Sequence, residues 1–406
     1  MGSLLETLNN REVWEAFLQN KQQKGQLDGR ERKELEDYIS EERYRKVTES
    51  MAFGYPVRKE IAKTGSSRKR VVYSYSPDET WVLKLLAWEL YRYDGCLPDN
   101  CYAFRRDRNA RTAIADIRKI PELDRLFALK LDLHDYFNSI EPELLIDVLG
   151  TVITDDPPLL DFLSGLLRQH RCIRDGAVTE EDRGAMAGVP LASFFANVYL
   201  MDLDRLFLEK GIPYFRYSDD LILFFPDSAQ LEENLARIRG ILDNKRLTLN
   251  EEKFSVSGPG ESWEYLGFVY CGGNVDLAPV TVQKMKDRIR RKAHALWRWR
   301  KRNEASFERA ARAMIRSFDR KLYDLSGDHT FTWTRYYFPV LTCSDGLKEI
   351  DRYMVRYLRF LSTGRHCKAN YRVTYGQLKQ LGYTPLAAEY YNWKKENARL
   401  RDREDS

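Results

Sequence analysis

Apolar and polar positions change their period along this chain, and the changes mark helical flanks around a mixed centre. Near the start, Trp14, Phe17 and Leu18 recur at helical spacing among charged neighbours until Asp28-Gly29 interrupts them, so two charged helices are predicted over the first 45 residues. Arg70-Val-Val-Tyr-Ser-Tyr75 has the flavour of a strand, and Trp81–Tyr93 returns to the helical period. From 127 to 280 short apolar runs alternate with helical patterns: Leu126–Leu133 and Tyr214–Phe225 read as buried strands, Pro158–Gln169 and Ala229–Asn244 as helices. Beyond 281 the chain is predominantly helical. There Val282, Met285, Ile289, Ala293 and Leu296 form one stripe, with Lys286, Arg290, Arg291 and Arg298 largely outside it. Over Leu347–Leu361, Leu347, Ile350, Met354, Leu358 and Leu361 share one face and Arg352, Arg356 and Arg359 the opposite one. The predicted class is α+β.

A length of 406 residues, 43% hydrophobic and 31% charged, is that of a folded globular protein with room for more than one lobe. No window approaches the roughly 18 apolar residues of a membrane span, and Glu6, Glu12 and Glu15 oppose a signal peptide. A soluble, cytoplasmic protein is expected. The six cysteines are scattered without a Cys-x-x-Cys pair, which argues against zinc and against a disulfide framework. Charge is unevenly placed. Residues 1–280 carry 37 basic and 47 acidic side chains, a net of −10, whereas 281–406 carry 29 and 14, a net of +15. A lobe so basic attracts a polyanion.

The carboxylates of the acidic part are not spread evenly. Tyr217-Ser218-Asp219-Asp220 lies between Tyr214-Phe215 and Leu221-Ile-Leu-Phe-Phe225, which makes it the turn of a buried hairpin. Taken alone, an acid in a turn usually serves its own backbone. Asp132 changes that reading, because it ends the run Phe127–Leu131 and opens Asp132-Leu-His-Asp-Tyr-Phe-Asn-Ser-Ile140. A carboxylate at the end of one central strand, facing a pair on a neighbouring hairpin, suits two Mg²⁺ ions, with Mn²⁺ as a possible substitute. Two ions so held serve in-line phosphoryl transfer.

In these residues the sequence resembles the reverse transcriptases, and the resemblance covers nearly the whole chain. Lys130–Ile140 is similar to the family's first palm motif, and Gly184-Ala-Met-Ala-Gly-Val-Pro-Leu-Ala-Ser-Phe-Phe-Ala-Asn197, running on to Asp204, to the second. Tyr217–Asp220 matches the Tyr-x-Asp-Asp box, Leu247–Lys253 the lysine-bearing motif, Tyr265-Leu-Gly-Phe268 the primer-grip turn, and Tyr102-Ala-Phe-Arg-Arg-Asp-Arg108 the fingers motif that tracks the template. One departure stands in the second motif: Met186-Ala187-Gly188 and Ala192-Ser193 replace the Pro-Gln-Gly and Ser-Pro of many relatives, removing a Gln often laid against the nucleotide.

The resemblance implies roles. Asp132, Asp219 and Asp220 would bind metal, with the backbone carbonyl of Leu133 as a further ligand, and Lys253 would protonate the leaving pyrophosphate. Arg68 and Arg70 would clamp the triphosphate, Gly188 would support the nucleotide, and Phe137 would lie beneath the ribose and exclude a 2′-hydroxyl. Arg105, Tyr265, Gly267, Arg290, Arg298, Arg352, Arg356 and Arg359 would meet nucleic acid, with Trp297, Trp299 and Tyr357 available for stacking.

The implied architecture is a right hand, with N-terminal helices and fingers over 1–125, palm over 126–275 and a basic helical thumb over 276–406. Within the family the motifs look most like bacterial stand-alone enzymes of the anti-phage (Abi and unknown-group) type, with retron and diversity-generating enzymes behind. The implied partners are dNTPs, a DNA product and an RNA template, expected to be a structured non-coding RNA. Three rivals stay open at this stage: an RNA-dependent RNA polymerase, which Phe137 opposes; a template-independent or protein-primed polymerase; and a catalytically silent RNA-binding scaffold, which the three intact carboxylates oppose.

Overall fold

The computed structural model describes residues 2–62, 69–181, 184–323 and 332–404. The chain forms two compact units, Met1–Pro259 and Gly260–Ser406.

In the first unit, helices Arg11–Gln23 and Gly29–Ser40 follow the predicted break, where Asp28 accepts from the amides of Arg30 and Glu31 in a capping box. Trp14 is buried against Phe17, Tyr38 and Tyr44, and Phe17 against Trp88. Helix Pro77–Glu89 buries Trp81, Val82, Leu83, Leu85 and Leu86, so its apolar surface runs well beyond one stripe.

Eight strands of this unit make two sheets. Strands β1 (Val57–Ala62), β2 (Lys69–Ser74), β4 (Arg171–Arg174) and β5 (Ala177–Glu180) pair in the order β2-β1-β4-β5. Strands β3 (Phe127–Asp132), β6 (Tyr214–Tyr217), β7 (Asp220–Phe225) and β8 (Ser255–Ser257) form the antiparallel order β6-β7-β3-β8. Leu221 to Phe225 are all at most 1% exposed, which is why β7 reads as an unbroken apolar run and not as an alternation.

The second unit opens with a meander, β9 (Trp263–Tyr265), β10 (Phe268–Cys271) and β11 (Asn274–Leu277). Helices Pro279–Arg302, Phe307–Leu322, Asp345–Thr363 and Leu386–Glu404 follow. The division precedes the boundary expected at 275 because the meander is hydrogen-bonded to the helical part. The amide of Val275 donates to Thr342 Oγ1 at 2.8 Å, and those of Asp345 and Gly346 donate to Asp276 Oδ2 at 3.1 and 3.0 Å. Among the described residues no helix is long and apolar enough to cross a membrane.

Candidate active site

The site is assembled where β3 ends beside the β6–β7 turn. Register pairs Asp132 with Asp220 across the sheet, and Tyr217 with Asp220 within the hairpin, so Ser218 and Asp219 form a two-residue loop. Ser218 takes φ 62°, the left-handed value such tight turns require. The amide of Leu133 donates to the carbonyl of Asp219 at 3.0 Å and ties the strand end to the turn. Thus three carboxylates from positions 88 residues apart share one edge of one sheet.

Asp132 is 6% exposed and already engaged. Lys253 Nζ lies 2.5 Å from Oδ2, Asn250 Nδ2 donates to Oδ1 at 3.1 Å, and the Asn250 amide donates to the Asp132 carbonyl at 2.7 Å. Burial raises the Asp219 carboxyl above its usual range, and the charge of Asp132 adds to that. Burial pushes Asp220 up to about 7 against the pull of Lys130, 4.0 Å away, with Asp132 and Asp219 adding to the rise. Among the described residues no group of three His, Cys, Asp or Glu side chains is closed into a metal-holding cluster. The donor chemistry nevertheless fits hard divalent cations: carboxylates at a shared edge, with the charge of Asp132 raising the proton affinity of Asp219 and Asp220, are what such an ion relieves.

Beneath the turn sits a feature that sequence reasoning missed. Arg216 is wholly buried in β6 and makes an ion pair with the equally buried Asp204. Its Nε donates to Asp204 Oδ1 at 2.7 Å, and further bonds reach the carbonyls of Asn197 and Ser218 at 3.1 and 3.4 Å. Tyr214 donates to the same Asp204 oxygen at 2.7 Å. The signal was available: an arginine between Phe215 and Tyr217 in a buried strand demands a buried acid.

Residues 61–270 match the reverse transcriptase (RNA-dependent DNA polymerase) family. The chain belongs to that family. Over 125 residues it is 32% identical to the retron Ec83 reverse transcriptase of Escherichia coli, a match covering 28% of this chain and 38% of that protein. The match therefore spans well under half of the curated relative. Among solved structures, telomerase from Candida albicans in complex with a TWJ fragment of telomeric RNA aligns at 13% identity and TM-score 0.43, covering 88% of this chain and 70% of that one. Apo telomerase from Candida tropicalis aligns at 11% identity and TM-score 0.45, covering 76% and 64%. The right-hand α+β class inferred from the motifs is the family's own, and the retron match accords with a bacterial reverse transcriptase.

Other expected residues of this reverse transcriptase fall into place unevenly. Arg70, exposed on β2, lies close enough to Asp219 for its charge to favour the ionised carboxylate. Arg68 lies outside the described residues. Gly188, φ 98°, packs on β2: a Cβ there would stand 3.0 Å from the Tyr73 carbonyl, and the Tyr73 amide donates to Ala187 at 2.7 Å. It therefore docks the segment Gly184–Asn197 on β2. Phe137 is half-buried, and Phe104, 38% exposed at φ 55°, touches both it and Tyr217 with ring centroids 6.4 Å apart in each case. Phe104 was quoted in the fingers motif but given no role.

Three residues expected to meet nucleic acid are engaged within the protein. Arg105 was assigned to nucleic acid, but its guanidinium donates to the carbonyls of Asp94, Leu97, Pro98 and Cys101, at 2.8 to 3.4 Å, and organises that loop instead. Tyr265 was given the same assignment, yet it is 0% exposed in the second unit. Its neighbours Leu266 and Gly267, at φ 51° and 86°, make the tight β9–β10 turn, and the Gly267 carbonyl accepts from Thr281 Oγ1 at 2.9 Å. Tyr357 is likewise buried, against His294, Phe360 and His366, and is not free to stack. Arg290, Arg298, Arg352 and Arg356 are exposed, Arg290 paired with Asp287 at 3.1 Å, and Arg359 is half-buried.

Proposed function

We propose that this protein is an RNA-directed DNA polymerase that extends a 3′-hydroxyl with dNTPs in the bacterial cytoplasm, copying a non-coding RNA associated with it in anti-phage defence. The single observation that carries the catalytic reading is the register that sets Asp132 opposite Asp220 with Asp219 in the adjoining turn. Asp132 and Asp219, with Asp220 behind them, would hold two divalent ions, Mg²⁺ by preference. Bound there, the ions supply a lowered hydroxyl pKa and neutralise charge on the leaving oxygen.

The chain's own residues do the rest. Arg70, whose charge is felt at Asp219 from β2, would pair with triphosphate oxygens, where an arginine forms charge-assisted bonds. Phe137 fills the space beneath the ribose. Lys253, released from Asp132, donates a proton to the leaving pyrophosphate. The +15 of residues 281–406 supports a nucleic-acid partner, because phosphate contacts dominate such affinity. The defence role and the dedicated RNA rest on the motif resemblance.

Asp219→Ala with Asp220→Ala should abolish dNTP incorporation on a primed RNA template while circular dichroism and elution volume stay those of the parent. Incorporation by the folded double variant would overturn the assignment.

A further inference from the structure

The arginine face of helix Asp345–Thr363 in the second unit borders a groove of about 620 Å³. Arg352, Arg356 and Arg359 of the helix line it together with His366, Lys368 and Tyr371 of the segment that follows. The lining holds four arginine or lysine side chains and no carboxylate. Nearby Asp351 is not part of the lining; its oxygens accept from the amides of Leu386 and Ala387 at 2.8 and 2.9 Å and from the Tyr383 hydroxyl at 3.0 Å.

The segment after the helix is rigidly built. Gly364 ends the helix at φ 74°, where any Cβ would run into the Trp297 ring. Asn370, 4% exposed, accepts from Thr363 Oγ1 at 2.6 Å and donates to the Arg365 carbonyl at 2.7 Å, which staples the loop that carries Tyr371. Arg359 donates to the Val373 carbonyl at 3.0 Å and sets its guanidinium 5.1 Å from the Tyr371 ring centroid. Tyr371 is nonetheless 72% exposed. A large aromatic ring set beside a cation and left open to solvent, in a lining that carries no carboxylate, has little packing to explain its place.

We propose that this groove binds an unpaired stretch of RNA, its phosphates on Arg352, Arg356 and Lys368 and one base stacked on Tyr371. The proposal rests on the reading of the chain as a polymerase with an associated RNA. A cationic groove with an aromatic platform is how single strands are held, since every base has a face to stack and its phosphates track the charge. A duplex keeps its bases inside and would leave Tyr371 idle. An acidic peptide would satisfy the arginines but not the ring.

The test uses the full chain and a fluorescent, unstructured oligoribonucleotide, the same sequence as a duplex, and poly-glutamate. Tyr371→Ala should weaken single-strand binding by about tenfold, Tyr371→Phe should restore it, and duplex binding should change little. Arg352→Gln with Arg356→Gln should lower the salt slope of single-strand binding by about one to two units. Unchanged single-strand affinity in Tyr371→Ala, or equal losses for strand and duplex, would overturn the proposal, and poly-glutamate binding more tightly than the oligoribonucleotide would assign the groove to an acidic protein. The readout is binding and not incorporation, so its failure and that of the Asp219/Asp220 exchange are separable.

Discussion

Arg216 reaches Asp204 within the interior of the first unit, with neither side chain exposed to solvent, and from there it also holds the Ser218 carbonyl of the acidic turn at 3.4 Å. The acidic turn is therefore tied from below by a charge pair that takes none of its own carboxylates. Burying such a pair has its own desolvation cost, so its value lies in placing the turn more than in net stability.

Removing one partner strands the other. Arg216→Met should cost about 3–5 kcal/mol in urea denaturation, because Asp204 is left charged in an apolar interior, and Arg216→Met with Asp204→Leu should recover part of that loss. A midpoint unchanged in the single variant would show that the turn needs no such support.

On the proposed two-metal reading, Lys253 and a divalent ion would compete for Asp132. Lys253→Met should bring the half-saturating Mn²⁺ concentration for incorporation below the parent's, while the maximal rate falls about 10²–10⁴-fold through loss of the general acid. An unshifted metal titration would mean that the 2.5 Å pair does not guard the carboxylate.

Phe137→Ala should narrow the preference for dNTPs over rNTPs by about 10–200-fold, the range open to an apolar pocket that gains space. Phe104→Ala removes the ring packed against both Phe137 and Tyr217, and should raise the KM for dNTPs more than it lowers kcat. Unaltered discrimination in the first variant would leave Phe137 a packing residue only.

Burial pushes the Asp319 carboxyl, in helix Phe307–Leu322, up to about 6. The folded form then holds a proton that the unfolded chain releases, so this group's contribution to stability falls as pH rises from about 4 to about 6 and stays lower above that window. Asp319→Asn should melt with the parent at pH 4 and on the order of 2 °C above it at pH 8. Identical differences at both pH values would exclude the titration.

What the sequence by itself determined is local or carried by motif. The apolar run Leu221–Phe225, the strand ending at Asp132, the helical stripe Val282–Ala293 and the Asp28 break are all properties of consecutive residues, and each element lies within a few residues of its expected place. The acids of the site were legible for the same reason, since their turn and strand end are marked by their immediate neighbours.

Only the tertiary structure decided the partners. Lys253 and Asp132 stand 121 residues apart, the donors of Arg105 meet backbone carbonyls, Tyr265 goes inside, and the meander joins the helical part through Thr342 and Gly346. Periodicity reports which face of an element is buried, but a long side chain's destination depends on which acceptors the folded chain brings within about 3 Å. That is settled by register and packing between distant segments, which no local pattern encodes.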